Sequence, residues 1–319
     1  MRTAHMDWTL LGIPIGIVML YLGSDWMVRG ARDLAVRLGV APFVVGLTVL
    51  AFGSSAPECV TSVVSGDTPQ IIIGNVVGSN IANIGLAIGL AAVVGPLTAR
   101  YRGMRLELAV MILSSVLVAV MALAGTIGTA DGLVLIAAIA VFVLVVYLSR
   151  RGDAPEPVTG PEGGGMGVPM SLVAVAVGLT VLYFGAQSFI DGARELAGMF
   201  GVSDMLVGLL VVAIGTSLPE MCITVVAAYR GEADLAVSNI VGSNIFNLLF
   251  VLGVGAVLFD VPVSHSMLVF HIPVMILFSA MMFAMVRHGD VVDRPRGALL
   301  VVMYALYIVM MVVNPSLTV

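Results

Sequence analysis

The 319-residue chain has no lysine, two cysteines, four histidines and few charges of any kind. Charged residues make up 10% of it and hydrophobic ones 60%, with a mean hydropathy of +1.13. A soluble domain has too little core to hide that much apolar side chain, so the composition excludes one and describes a polytopic membrane protein. The cysteines, Cys59 and Cys222, lie in apolar segments and read as small buried fillers rather than a disulfide. His5, His265 and His288 fall at segment edges, and His271, at membrane depth, has no partner at metal-ligand spacing and reads as a packing residue. A transition-metal site, which would recruit His or Cys, is therefore disfavoured. The net charge of −5 says little, but the 14 basic residues are all arginine and their placement is informative.

What is present is a repeated motif. Gly46-Leu-Thr-Val-Leu-Ala-Phe-Gly-Ser-Ser-Ala-Pro-Glu58 returns 162 positions later as Gly208-Leu-Leu-Val-Val-Ala-Ile-Gly-Thr-Ser-Leu-Pro-Glu220. A second block follows each copy, Gly74-Asn-Val-Val-Gly-Ser-Asn-Ile-Ala-Asn83 and Ser238-Asn-Ile-Val-Gly-Ser-Asn-Ile-Phe-Asn247, now at an offset of 164. The end of the first apolar segment also recurs: Tyr21-Leu-Gly23 and Gly30-Ala-Arg32 reappear as Tyr183-Phe-Gly185 and Gly192-Ala-Arg194. A cleaved signal would not be duplicated inside the mature chain, so this segment is expected to stay.

A membrane helix needs about 20 apolar residues. On that basis ten spans are expected, near 8–28, 41–66, 71–98, 104–125, 130–149, 169–190, 203–228, 234–259, 265–286 and 297–315. The Pro- and Gly-rich stretch 150–168 reads as a linker between a first five-helix repeat, 1–149, and a second, 169–319. When the connections are numbered alternately, every arginine except Arg2 and Arg194 falls on one side. The positive-inside rule then predicts a cytoplasmic linker and extracellular termini in a multi-pass protein of the plasma (inner) membrane. Five crossings separate the two acids, so the copies enter the membrane in opposite directions. The expected fold is thus an all-α polytopic membrane protein of ten transmembrane helices in two inverted repeats, the architecture of secondary transporters, with the site at mid-membrane.

An ionisable side chain at that depth costs about 2.5–3.5 kcal/mol on insertion scales and is functional by default. Ser54 and Ser55 precede Glu58 by four and three residues and share its helix face. Pro57 and Pro219 open the helix one turn upstream, at the carbonyls of Gly53 and Gly215, beside Thr216, Ser217 and Glu220 in the second copy. Asn75, Ser79 and Asn83, and Asn239, Ser243 and Asn247, form polar stripes every four residues. The small residues beside them, Gly74 and Gly78 in one copy and Ser238 and Gly242 in the other, predict close helix approach. Hydroxyls, carbonyls and two carboxylates make an oxygen-only site suited to a hard cation, calcium above all. Taken singly, the glycines, asparagines and prolines are ordinary packing and kinking devices; the paired acids shift the balance to ion binding. Arg32 and Arg194 read as interfacial anchors, and Asp25, matched to Gln187, as a residue near the membrane edge that is not a ligand.

These paired Gly-[Ser/Thr]-Ser-x-Pro-Glu and Gly-Ser-Asn-x-x-Asn motifs resemble those of the calcium/cation antiporter superfamily, in particular its microbial sodium/calcium exchanger-like members. The resemblance spans nearly the whole chain. It implies Ca2+ held between Glu58 and Glu220 with oxygens from Ser54 and Thr216. Na+ would use the same acids with Ser55, Ser217, Ser79, Ser243, Asn83, Asn247 and carbonyls near Ala51 and Ala213, while the first and sixth helices slide to alternate access. Some members have aspartate at the place of Asn247, which leaves two carboxylates here, and the central loop is too short for the calcium-sensing domains of larger relatives.

The expectation is therefore an antiporter exporting Ca2+ against Na+, with H+ coupling as the alternative counter-ion. A channel would more naturally place its ion ring at a subunit axis, and an intramembrane hydrolase lacks a base near Ser55 or Ser217. The chain is read as not an enzyme, with no cofactor, no nucleic acid and no obligate protein partner; its partners are the ions and the lipid bilayer.

Overall fold

The computed structural model describes residues 8–64, 69–98, 101–150, 166–199, 215 and 217–317. Helix α1 (Gly12–Leu38) ends at Gly39, whose φ of 64° lets its N–H turn back to Ala35 and Val36. Then follow α2 (Pro42–Ser54), α3 (Ala56–Val64), α4 (Gln70–Val94), α5 (Tyr101–Ala122), α6 (Thr129–Arg150) and α7 (Val168–Met199). The second half continues with α8 (Leu218–Tyr229), α9 (Ala233–Leu258), α10 (Met267–Gly289) and α11 (Arg294–Val313). Eight helices among the described residues are long and apolar enough to cross a membrane; α2 and α8 are shorter apolar helices.

Helices α1 and α7 run about ten residues beyond the apolar windows that predicted them, because those windows stop where charged residues begin, Arg29 in α1 and Asp191 in α7, while the backbone stays helical. The central helices are α4 and α9. Their spanning windows are 78% and 83% buried, against 28–39% for the other long helices, which suits their many small residues and few charges.

Contacts recur at matching places in the two halves. A Cβ on Gly16 would lie 2.7 Å from the Gly185 carbonyl, and one on Gly178 the same distance from that of Gly23. Bare backbone on both sides therefore lets α1 and α7 touch along their length. Likewise Gly132 of α6 abuts the Gly253 carbonyl of α9, and Gly297 of α11 abuts that of Gly89 in α4. Two short antiparallel ribbons join the halves: β1 (Leu97–Thr98) pairs with β4 (Val291–Val292), and β2 (Thr126–Ile127) with β3 (Val261–Pro262).

The close approach expected at the small residues holds for one copy. A Cβ on Gly242 would meet the Leu47 carbonyl and the Ala51 methyl, each at 2.7 Å. Among the described residues nothing lies within 4 Å of one on Gly74 or Gly78; the residues matching Leu47 and Ala51 are 209 and 213, outside the described set.

Candidate ion-binding site

The backbone turns alike at the serine before each acid. Ser55 has φ −86° and ψ 3°, and Ser217 φ −89° and ψ 2°, a sparsely populated backbone region that residues at functional sites often occupy. Each precedes a proline by two residues, and the missing proline N–H is what lets the helix open there. A helix begins just after each serine and carries its glutamate in the first turn, Glu58 in α3 and Glu220 in α8.

The two motifs interlock. Ser55 donates its hydroxyl to Glu220 Oε1 at 3.1 Å, and Ser54 lies beside the same carboxyl. Glu58 and Glu220 are fully buried, and the Ser55 bond ties the motif of the first to the carboxyl of the second. The asparagine blocks close the site from the facing side. Helix α4 widens into a π-turn at Asn83–Ile88 that packs on α8, and α9 does so at Asn247–Val251, packing on α3. Each π-turn, which begins at its asparagine, thereby packs on the glutamate helix of the other half. Such π-turns mark functional places in many helices.

Six oxygens in this region are buried and have no hydrogen-bond partner among the described residues: both of Glu58, Glu220 Oε2, Asn83 Oδ1, Asn247 Oδ1 and Ser217 Oγ. Buried polar atoms are satisfied in the great majority of cases, so six orphans among five neighbouring side chains are a cost that a bound cation would remove. Calcium takes six to eight oxygens in a flexible shell, and two carboxylates balance its charge. The donor set fits a hard cation carried as substrate.

The other expected site residues divide. Ser79 and Ser243 are buried, and the Ser243 hydroxyl is 3.5 Å from that of Ser54, which is also 3.5 Å from Asn239 Oδ1. The Ala51 carbonyl accepts the Ser55 N–H at 3.1 Å and so remains partly committed to the helix. Thr216 and Ala213 lie outside the described residues. Cys59 and Cys222 are free thiols. His271 is satisfied on both ring nitrogens, with Tyr307 Oη 2.8 Å from Nδ1 and the Leu317 carbonyl 2.6 Å from Nε2. No cluster of three or more His, Cys, Asp or Glu that could hold a metal occurs among the described residues.

Sequence reasoning passed over several residues. Asn80 and Asn244 cross-bond α4 to α9, each amide donating to the other's backbone carbonyl, at 3.2 and 3.3 Å. Their side-chain oxygens accept from Asn247 at 3.3 Å and Asn83 at 3.0 Å. Both stand inside the repeated motif, so the repeat itself was the signal. Thr224, one turn past Glu220, takes a hydrogen bond from Asn239 at 3.2 Å. Glu107 is a further fully buried acid, in α5. Asp25, expected near a membrane edge, is buried, and its two oxygens pair with Arg230 and, at 2.9 Å, Arg29. Arg32 pairs with Glu232 at 3.0 Å, so its anchoring partner is protein.

The geometry has counterparts among known proteins. The sodium/calcium exchanger MaX1 of Methanosarcina acetivorans is 30% identical over 93% of this chain and 96% of its own. The putative antiporter CaxA of Alkalimonas amylolytica is 35% identical over 77% of this chain and 79% of its own. A solved structure of the sodium-calcium exchanger NCX_Mj superposes with a TM-score of 0.81 at 31% identity, covering 95% of this chain and 98% of that one. The family described as sodium/calcium exchanger protein matches residues 8–148 and 170–313, which include both acid motifs and both asparagine blocks. By that coverage the chain is a multi-pass membrane protein that belongs to the sodium/calcium exchanger protein family.

Proposed function

We propose that the chain is a secondary active antiporter that exports Ca2+ in exchange for Na+, by alternating access to one mid-membrane site. The observation that carries this reading is the set of six buried oxygens, unpartnered among the described residues, gathered where the two acid motifs interlock. Either one Ca2+ or a set of Na+ ions neutralises the pair, and competition for shared acids is the coupling, since a site that crosses only when loaded cannot leak. Glu58, Glu220, Ser54 and Thr216 are assigned to Ca2+; Ser55, Ser217, Ser79, Ser243, Asn83, Asn247 and the Ala51 and Ala213 carbonyls join the acids for Na+.

The proposed layout is ten spans in two inverted five-helix repeats. The matched Gly16–Gly185 and Gly178–Gly23 contacts and the two inter-half ribbons support it. Termini face outward and the linker faces the cytoplasm, on the arginine distribution. The paired helices α1 and α7 move against the rest, since their glycine faces keep them together.

Proton coupling is the second reading, because two facing carboxyls also take up protons. Neutral asparagine and serine oxygens gathered beside the acids favour Na+, which needs such ligands where a proton does not. In proteoliposomes, Ca2+ accumulation that requires an outward Na+ gradient and ignores a pH gradient is expected. Accumulation driven by the pH gradient alone would transfer the assignment to protons.

A further inference from the structure

We propose that Asn80 and Asn244 are positioning residues that fix which end of the Asn247 and Asn83 amides faces the ion. The assignment follows from what each group can do. A backbone carbonyl only accepts, so Asn80 must turn its amino group to the Asn244 carbonyl, 3.2 Å away. Its side-chain oxygen is then the atom that Asn247 meets at 3.3 Å, and Asn247 can meet an acceptor only with its amino group. Asn247 Oδ1 is thereby turned out of the network, where it has no partner among the described residues. The same steps through the Asn80 carbonyl, Asn244 and Asn83 leave Asn83 Oδ1 turned out as well.

The network is dry and closed. All four asparagines are buried, so no bulk water competes for their bonds. The Met275 and Met111 sulfurs, weak acceptors 3.9 Å from the amino groups of Asn80 and Asn244, occupy the remaining approach. An amide held only at its Cβ could rotate by half a turn and present N–H dipoles to a cation, converting attraction into repulsion. Two reciprocal locks prevent that on both sides of the pseudo-two-fold.

This rests on the cation-site reading, and the test separates the two. Binding of Na+, read as its displacement of radioactive Ca2+ from the purified full chain in detergent, is compared for wild type, Asn80→Leu, Asn80→Asp, Asn247→Ala and the Asn80→Leu/Asn247→Ala double variant. Loss of one ion-facing oxygen is expected to weaken binding of Asn80→Leu about ten- to a hundredfold. Because Asn80 acts through Asn247, the double variant should bind within about twofold of Asn247→Ala alone. Asn80→Asp, when its buried carboxyl is protonated, offers the same pair, an O–H to the Asn244 carbonyl and an oxygen to Asn247, and should bind within about twofold of wild type; it decides the matter if Asn80→Leu does not fold. Unchanged binding by Asn80→Leu, additive losses in the double variant, or an Asn80→Asp weaker than that limit overturns the positioning role. A wild type that binds no Ca2+ overturns the cation reading and this inference with it.

Discussion

Replacing Arg230 by Gln tests whether the turn between α8 and α9 is latched to α1. The latch has two ion pairs, Asp25 with Arg230 and Arg32 with Glu232, and both join α1 to that turn. The Asp25 side chain is 8% exposed, Arg230 28% and Arg29, the other partner, 57%. An exposed pair contributes about 0.2–1 kcal/mol, and stripping one partner from a fully buried pair costs about 3–5 kcal/mol. Arg230 lies between these limits, and Arg29 still neutralises part of the stranded charge, so the loss is about 1–3 kcal/mol, or about 5- to 150-fold in an opening equilibrium. Hydrogen exchange reads this directly, because the amides of Arg230, Gly231 and Glu232 are held by carbonyls at 3.0, 3.0 and 2.8 Å. Their protection should fall by that factor in Arg230→Gln and in Asp25→Asn, and far less in Arg230→Lys. Exchange at those three amides unchanged in a folded Arg230→Gln would refute the latch.

Other outcomes follow from the same contacts. Glu58→Gln and Glu220→Gln should each abolish Ca2+-dependent counterflow in proteoliposomes, and normal exchange by either removes that residue from the mechanism. Ser55→Ala deletes the 3.1 Å bond to Glu220, a hydrogen bond to a charged group worth about 1.5–3 kcal/mol, so the Ca2+ concentration for half-maximal exchange should shift about tenfold or more. Burial raises the Glu232 carboxyl above its ordinary range and Arg32 offsets only part of this. A raised acid contributes stability below its unfolded pKa and loses it as pH rises through the folded one. Glu232→Gln should therefore melt no lower than wild type at pH 8, and a drop of several degrees there would contradict the assignment. Gly178→Leu forces a side chain against the Gly23 carbonyl and should cost about 1–3 kcal/mol or more, seen as a lowered melting temperature.

The parts of the site that were legible in the sequence are those where chemistry and repetition coincide. A glutamate behind a proline and a hydroxyl pair, found twice, gave Glu58, Glu220, Ser54, Ser55 and Ser217 and placed them together, and all five are buried at one place. The orientation of an amide is not written in a helical period; it is decided by a carbonyl on another helix, which is why Asn80 and Asn244 went unread while Asn83 and Asn247 did not. The π-turns were hidden for a related reason, since one inserted residue does not disturb apolar spacing enough to be noticed. It does disturb the repeat. Leu97 and Val261 match at an offset of 164, but Gly125 and Asp290, the positive-φ residues after the next helix, match at 165. The extra residue falls within α10, whose first turns, Met267–His271, are a π-turn where the matching stretch of α5 is a regular helix.

Repetition also exposes where the halves differ. Asn239 and Thr224 are hydrogen-bonded at 3.2 Å, while their images Asn75 and Ser62 carry an amino group and a hydroxyl that are buried and, among the described residues, unpartnered. Both pairs can make the same bond, since serine and threonine present the same hydroxyl and the asparagines are identical. In the proposed layout the two pairs fall on opposite sides of the acids, because α3 and α8 cross it in opposite directions. The side with the closed pair is also the side where Asp25 and Arg32 grip the α8–α9 turn. Glutamine 187, the image of Asp25, has no charge with which to build such a grip on the other side. The matching turn of the first half, 65–68, lies outside the described residues. Under the proposed orientation the closed pair and the Asp25–Arg230 and Arg32–Glu232 ion pairs lie together on the cytoplasmic side, so opening that side must break them.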